Sequence, residues 1–143
     1  MQVLDKLRPL ALLLLRLALG LIFISHGYPK LLGNPHQWIG NFEHMGFPGY
    51  FAYVAGTLEF FGGMLLIAGL FTQIVGLLFA IEMSVALVKV HFPQGPLLQV
   101  KNYEFPLMLA VAGFVLATFG AGIFSLDQAI YGRRSPGRGK PKS

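Results

Sequence analysis

Three ionisable residues interrupt long apolar stretches of the chain: Arg16, Glu59 and Glu82. If these stretches are membrane-spanning helices, each charge costs about 2.5 to 3.5 kcal/mol near a helix centre. Such side chains should therefore point away from lipid. A helical rise of about 1.5 Å per residue places all three at a similar depth. We expect Arg16, Glu59 and Glu82 to meet in one polar pocket inside the protein.

The charges of this expected pocket do not balance. One guanidinium faces two carboxylates, so at neutral pH the second glutamate must hold a proton, share another cation or contact water. Lys89 follows Glu82 by seven residues and is the nearest cation by sequence. Buried Arg–Glu pairs can also serve only to fix helix register, and that structural interpretation stays open beside the functional one.

The histidines form a second set of candidate residues. His26, His36, His44 and His91 all fall towards one predicted side, together with Glu43 and Glu104. Imidazole and carboxylate groups can bind metals or ligate haem, but no pair has a spacing such as HExxH. We expect neither a metal nor haem. The glycines follow helix-packing spacing, and no P-loop or dinucleotide fingerprint is present.

The elements that carry these residues are predicted to be membrane helices. The chain is 55% hydrophobic and 12% charged, whereas soluble domains average about 25% charged residues. Four charge-poor stretches have the length that a bilayer requires of a helix. They are Pro9–Gly27, Phe51–Leu70, Ile74–Val90 and Phe105–Phe124. The predicted fold class is therefore all-α, a polytopic membrane protein built as a four-transmembrane-helix bundle.

Two of the connections are also informative. Asn34 and Pro35 suit a helix start, and Trp38, Phe42 and Met45 then recur on one helical face. We expect a short amphipathic helix over residues 35–45 at the outer interface, in the first outer loop. Between the second and third spans only residues 71–73 remain, which predicts a tight antiparallel hairpin.

The distribution of Lys and Arg predicts the orientation of the chain in the membrane. Seven lie near the two termini and three in the longer connections, so both termini are expected in the cytoplasm. The predicted organisation is a cytoplasmic N-terminus over residues 1–8, a membrane domain over 9–130 and a basic disordered tail over 131–143. The lipid bilayer is the expected partner of this chain, and nucleic acid is not.

Several segments together resemble one family. They are Arg16 and 26-HGYPK-30, 56-GTLEFFGG-63, 69-GLFT-72, Glu82, 103-YEFP-106 and 124-FSLD-127. In this combination the chain resembles the DoxX family of four-helix bacterial inner-membrane proteins, over about residues 8 to 130. The resemblance implies a small subunit of a quinone-linked membrane oxidoreductase system. It also implies a polar pocket formed by Arg16, His26, Glu59, Glu82 and Glu104.

These residues suggest a working hypothesis for the chemistry. Arg16, Glu59, Glu82 and His26 would act on a bound quinone, with Phe23, Phe60 and Glu104 completing the cofactor site. The chain has no cysteine and no electron-carrying motif, so a partner oxidoreductase would have to supply electrons. Glycine-rich faces also make a homodimer plausible. Two alternatives remain open: a lipophilic small-molecule binder or transporter without redox chemistry, and a membrane scaffold for soluble redox enzymes.

Overall fold

The structure of the protein, a computed structural model, describes residues 1–91 and 100–131. Its regular elements are all helical. The first half comprises α1 (Gln2–Asp5), α2 (Arg8–Tyr28), a π-helical turn (Pro29–Gly33), α3 (Pro35–His44) and α4 (Phe51–Ala68). The second half comprises α5 (Thr72–Ala86), a π-helical turn (Leu87–His91), a 3-10 turn (Val100–Asn102), α6 (Glu104–Phe119) and α7 (Leu126–Tyr131). The predicted tail lies largely outside the described residues, as does the segment 92–99.

The prediction of an all-α membrane bundle is confirmed. Within the described ranges, three helical stretches are long and apolar enough to cross a bilayer: Arg8–Gly33, Phe51–Ala68 and Thr72–Lys89. The fourth, α6, has 16 residues and ends earlier than predicted. Gly120 adopts a positive φ of 78° there, a conformation that glycine enters without steric cost. The first stretch is longer than predicted because the π-helical turn carries the chain on past Pro29.

The helices associate most closely as two pairs, α2 with α4 and α5 with α6. Glycine allows each close approach. A Cβ atom added to Gly63 would lie 2.6 Å from the carbonyl oxygen of Gly20, and one added to Gly76 would lie 2.7 Å from that of Gly113. Small residues promote membrane-helix packing because they let backbones touch. The short link between α4 and α5 exists as predicted, but the expected tight hairpin is not the main packing unit.

Stacked aromatic rings join the two pairs at the centre of the bundle. Phe23 of α2 and Phe79 of α5 are both buried, and their ring centroids lie 3.6 Å apart with planes inclined by 8°. Leu19, Leu66 and Leu116 pack around them as part of the same core. The core is thus concentrated between the helix pairs. The polar residues described below lie next to this core.

The close approach of α2 and α4 can be tested at Gly63. Gly63→Ala places a methyl group against the Gly20 carbonyl, and overpacking of this kind costs about 1 to 3 kcal/mol. We expect a lower Tm for this variant in detergent, measured by thermal unfolding. The control is Gly40→Ala in α3, where an added Cβ meets nothing within 4 Å and helix propensity favours alanine by up to about 1 kcal/mol. Equal stability of the two variants would contradict the glycine contact.

Candidate functional site

A buried ion pair lies at one end of the bundle, which we call the cavity end. Lys30 Nζ donates a hydrogen bond to Glu59 Oε2 at 2.6 Å, and the two residues are only 7% and 2% exposed. Lys30 belongs to the π-helical turn after α2, and Glu59 to α4. Gly56 makes the pairing possible, because a Cβ there would approach Lys30 Cβ to 2.8 Å. Close helix packing thus brings the ammonium group to the carboxylate.

Glu82 of α5 completes a three-residue cluster with this pair. Its carboxyl group is close enough to interact electrostatically with both Glu59 and Lys30. The Oε2 atom of Glu82 is buried and finds no hydrogen-bond partner in the described part of the chain. A buried polar atom without a partner costs about 1 to 3 kcal/mol. The cluster therefore holds one cation, two carboxyl groups and one unused acceptor.

The cluster forms part of the wall of a cavity of about 730 Å³. Its aromatic lining comes from Phe23, Trp38, Phe42, Phe47, Phe51 and Phe105. Helix α3 contributes directly: Lys30 Nζ lies 5.0 Å from the ring centroid of Trp38 and 6.0 Å from that of Phe42. Cations are attracted to aromatic faces at such distances. The apolar face of α3, predicted to lie at the interface, therefore packs over the polar cluster.

Of the other predicted site residues, some line the cavity and others lie outside it. His26 and Phe23 line the cavity, and the His26 ring lies 5.5 Å from the Phe105 ring. Glu104 is exposed and Phe60 is half-buried, and neither belongs to the cavity lining. Glu59 and Glu82 do come together, as the sequence suggested. The part of the chain that the structure describes contains no group of three His, Asp or Glu residues arranged to hold a metal.

Arg16 lies in a different place from the one expected. It is about four helical turns from Lys30 along the same helical stretch, at the opposite end of the bundle, which we call the turn end. The guanidinium is completely buried, and its Nη2 donates to the carbonyl oxygen of Phe124 at 2.5 Å. Nε and Nη1 have no hydrogen-bond partner among the described residues. The expected meeting of Arg16 with the two glutamates is thus wrong, and Lys30 occupies that role.

Asp127 organises the turn end together with Arg16. Its carboxylate accepts hydrogen bonds from the backbone N–H groups of Phe71 at 2.7 Å and Thr72 at 2.9 Å, and so caps the N-terminus of α5. Its own N–H donates to the carbonyl of Gly69. Asp127 is also the negative charge that acts on Arg16. The segments 69–72 and 124–127, distant in sequence, are therefore one structural unit.

Comparison with known proteins identifies the family. The sequence profile of the DoxX family matches residues 11–92, more than half of the chain. The chain belongs to the DoxX family. The matched region contains Lys30, Glu59 and Glu82, so the complete buried cluster lies within the part common to the family.

Individual DoxX relatives align with most of this chain. The CatD protein of Bacillus subtilis, whose name provisionally describes an oxidoreductase, is 36% identical over 83% of this chain and 86% of its own length. The inner membrane proteins YphA and YqjF of Escherichia coli are 30% and 28% identical over 85% and 87% of this chain, and over 91% and 95% of their own lengths. No solved structure shows a significant match. The chain is thus a membrane protein of the DoxX family.

Lys30 is the residue of the buried cluster that the sequence analysis does not predict. The sequence prediction assigns Lys30 to a longer outer connection, because the predicted first span ends at Gly27. A usable signal did exist: Lys30 follows Gly27 by three residues, so both share a helical face if the helix continues. The spacing of Trp38 and Phe42 predicts an apolar helical face, but nothing in the sequence indicates that this face covers a charge.

The charge of Lys30 should stabilise the fold through Glu59. Removing one partner of a buried ion pair costs about 3 to 5 kcal/mol, because the other charge stays buried alone. We expect Lys30→Met to lower the Tm strongly, and Lys30→Met combined with Glu59→Gln to recover much of the loss. Thermal unfolding in detergent measures both. Lys89→Met removes an exposed lysine and serves as the control. A double variant no more stable than the single one would contradict the pairing.

The turn end provides a separate test at Gly69. This glycine has a φ of 74°, and a Cβ there would overlap Arg16 Nη1. Gly46 has a φ of 90° with nothing within 4 Å of an added Cβ. Both alanine variants carry the backbone penalty of roughly 1 to 2 kcal/mol, but only Gly69→Ala also meets the Arg16 guanidinium and the Ser125 side chain. We expect Gly69→Ala to have the lower Tm, and equal values would show that the Arg16 contact is unimportant.

Proposed function

We propose that this DoxX protein binds a quinone-class ring in the cavity at the cavity end and serves as the membrane subunit of a quinone-linked redox system. The observation that carries the proposal is the unused acceptor, Glu82 Oε2, buried beside the Lys30–Glu59 pair in an aromatic cavity. Binding sites for small molecules are mostly apolar with a few well-placed polar groups. This cavity has that composition.

The residues present fit a quinone in size and chemistry. The volume of about 730 Å³ lies within the range of roughly 300 to 1,000 Å³ common for small-molecule sites. Trp38 and Phe105 offer flat apolar faces for a ring. Lys30 offers N–H groups, of which one is used by Glu59. Carbonyl oxygens need donors of this type, and ring hydroxyls need acceptors such as Glu82.

Each residue of the cluster then has a distinct task. A bound quinone supplies chemistry in which two electrons are accompanied by two protons. Lys30 orients the ring through a charge-assisted hydrogen bond, and Glu59 holds the ammonium group in place. One proton held between Glu59 and Glu82 makes the cluster neutral, so Glu82 serves as the site where a proton is held or released. His26 lies on the cavity wall as a further proton carrier.

The proposal assigns electron delivery to a partner. The sequence contains no cysteine, so a thiol cannot carry electrons within the chain. The oxidoreductase in the name of the Bacillus subtilis relative supports a redox setting for this one. The Escherichia coli relatives are inner membrane proteins by name, which supports the same membrane here. The Lys and Arg distribution favours cytoplasmic termini, and this orientation directs the cavity end outwards.

Two measurements on the purified protein test this function. Mass spectrometry of an organic extract should detect a bound quinone. Phylloquinone titrated into the protein should quench the fluorescence of Trp38, since this is the chain's one tryptophan and it lines the cavity. Lys30→Met should weaken phylloquinone binding by about tenfold or more, which is the loss of one hydrogen bond to a charged group. Glu82→Gln should weaken binding of the reduced hydroquinone form by a similar factor, because its hydroxyl group donates to the carboxylate.

Glu104→Gln is the matched control, because Glu104 is exposed and lies outside the cavity lining. It should bind like the original protein. If both cavity variants also retain full binding, the proposed function is wrong. A different lipid in the extract, lost in the Lys30 variant, would instead favour a lipophile binder without redox chemistry. Co-purifying enzymes together with indifference to all cavity variants would favour a scaffold.

A further inference from the structure

The cavity is open on one side, between α4 and α5. The two helices touch in their central turns, where a Cβ added to Gly62 would lie 2.7 Å from the ring of Phe79. Towards the cavity end, Val54 of α4 and Ile81 of α5 both line the cavity, yet they remain 55% and 53% exposed. Leu78 and Val85 extend the same apolar surface. We call the opening bordered by Val54, Leu78, Ile81 and Val85 the α4–α5 cleft.

The depth of the cleft determines what surrounds it. Glu59 is close to the middle of the 18-residue helix α4, and Val54 lies less than two turns from it. Ile81 directly precedes Glu82. The cleft is therefore at the depth of the polar cluster, within the hydrocarbon layer that α4 and α5 cross. Its exposed apolar side chains face acyl chains at that depth and not water.

Two other sides of the cavity are covered by helix contacts. Helices α2 and α4 are held together by glycine contacts, and α3 lies over the cluster with Trp38 and Phe42 against Lys30. A polar group at the cluster is thus connected with the bilayer through a continuous apolar surface. A molecule that matches both the polar cluster and the apolar surface leading to the bilayer has a compact polar ring and a long hydrocarbon chain.

We propose that the α4–α5 cleft holds the hydrocarbon tail of the ligand, and that the protein selects tailed, bilayer-dissolved rings over the same rings without a tail. This inference rests on the proposed function for the identity of the ring. The ring reaches Lys30 and Glu82 sideways from the membrane, and the tail stays between α4 and α5. Each tail methylene in the cleft exchanges contact with lipid for contact with protein, so the selectivity depends on the fit of the cleft.

Phylloquinone and menadione provide a matched pair of probes, because they share one naphthoquinone ring and only phylloquinone has a long tail. Both are titrated into the protein in nanodiscs, with Trp38 fluorescence as the readout. Val54→Phe and Ile81→Phe narrow the cleft without adding a tryptophan. We expect each to weaken phylloquinone binding by about tenfold, or about 1.4 kcal/mol, because the added ring overpacks the space of the tail, and to leave menadione binding unchanged. Leu21→Phe, on the 62% exposed outer face of α2, should affect neither probe.

Equal weakening of both probes would overturn the inference by placing Val54 and Ile81 around the ring. Unchanged phylloquinone binding would overturn it too. A second measurement needs no quinone: quenching of Trp38 by phospholipids brominated on their acyl chains should fall in both cleft variants and not in Leu21→Phe. If the original protein binds neither probe but this quenching pattern holds, the proposed function fails and the access of hydrocarbon chains to the cavity stands. If the quenching is the same in all variants, the cleft assignment fails.

Discussion

The ion pair of Lys30 and Glu59 is the interaction on which the cavity end depends. Two opposite charges at 2.6 Å can be kept in a low-dielectric interior only when they are held together, since either alone is costly to bury. Holding them requires α2 and α4 to approach at Gly56 and Gly27, and it requires the helical path to continue beyond Pro29. The glycine contacts, the π-helical turn and the position of α3 all serve this requirement.

The buried charged side chains at the two ends of the bundle have different surroundings. At the turn end, Arg16, Asp127 and the backbone of residues 69–72 form a compact unit that caps α5 and connects distant segments. At the cavity end, a carboxyl oxygen is left without a partner among the described residues, beside open space. Arg16 also has atoms without a partner among the described residues, Nε and Nη1, but it does not line the cavity. The binding role that we propose is therefore assigned to Glu82 and not to Arg16.

The arrangement of helices in pairs explains why the cavity lies where it does. Close contact within α2–α4 and within α5–α6 uses small residues such as Gly63 and Gly76, and larger apolar residues fill the space between the two pairs. Phe23 and Phe79 fill this space at the centre. Nearer the cavity end no comparable stack is seen among the described residues, and the space between the pairs remains available for a ligand.

The sequence by itself determined the membrane class, the family, the amphipathic character of α3 and the presence of Glu59 and Glu82 at one depth. These properties follow from hydropathy, periodicity and motif, which are local along the chain. Only the tertiary structure decided that Lys30, and not Arg16, meets the glutamates. Depth along a helix does not fix the direction in which a side chain points or which helix it faces. The glycine contacts and the π-helical turn after Tyr28 determine which cation meets the glutamates. Hydropathy predicts neither of these two features.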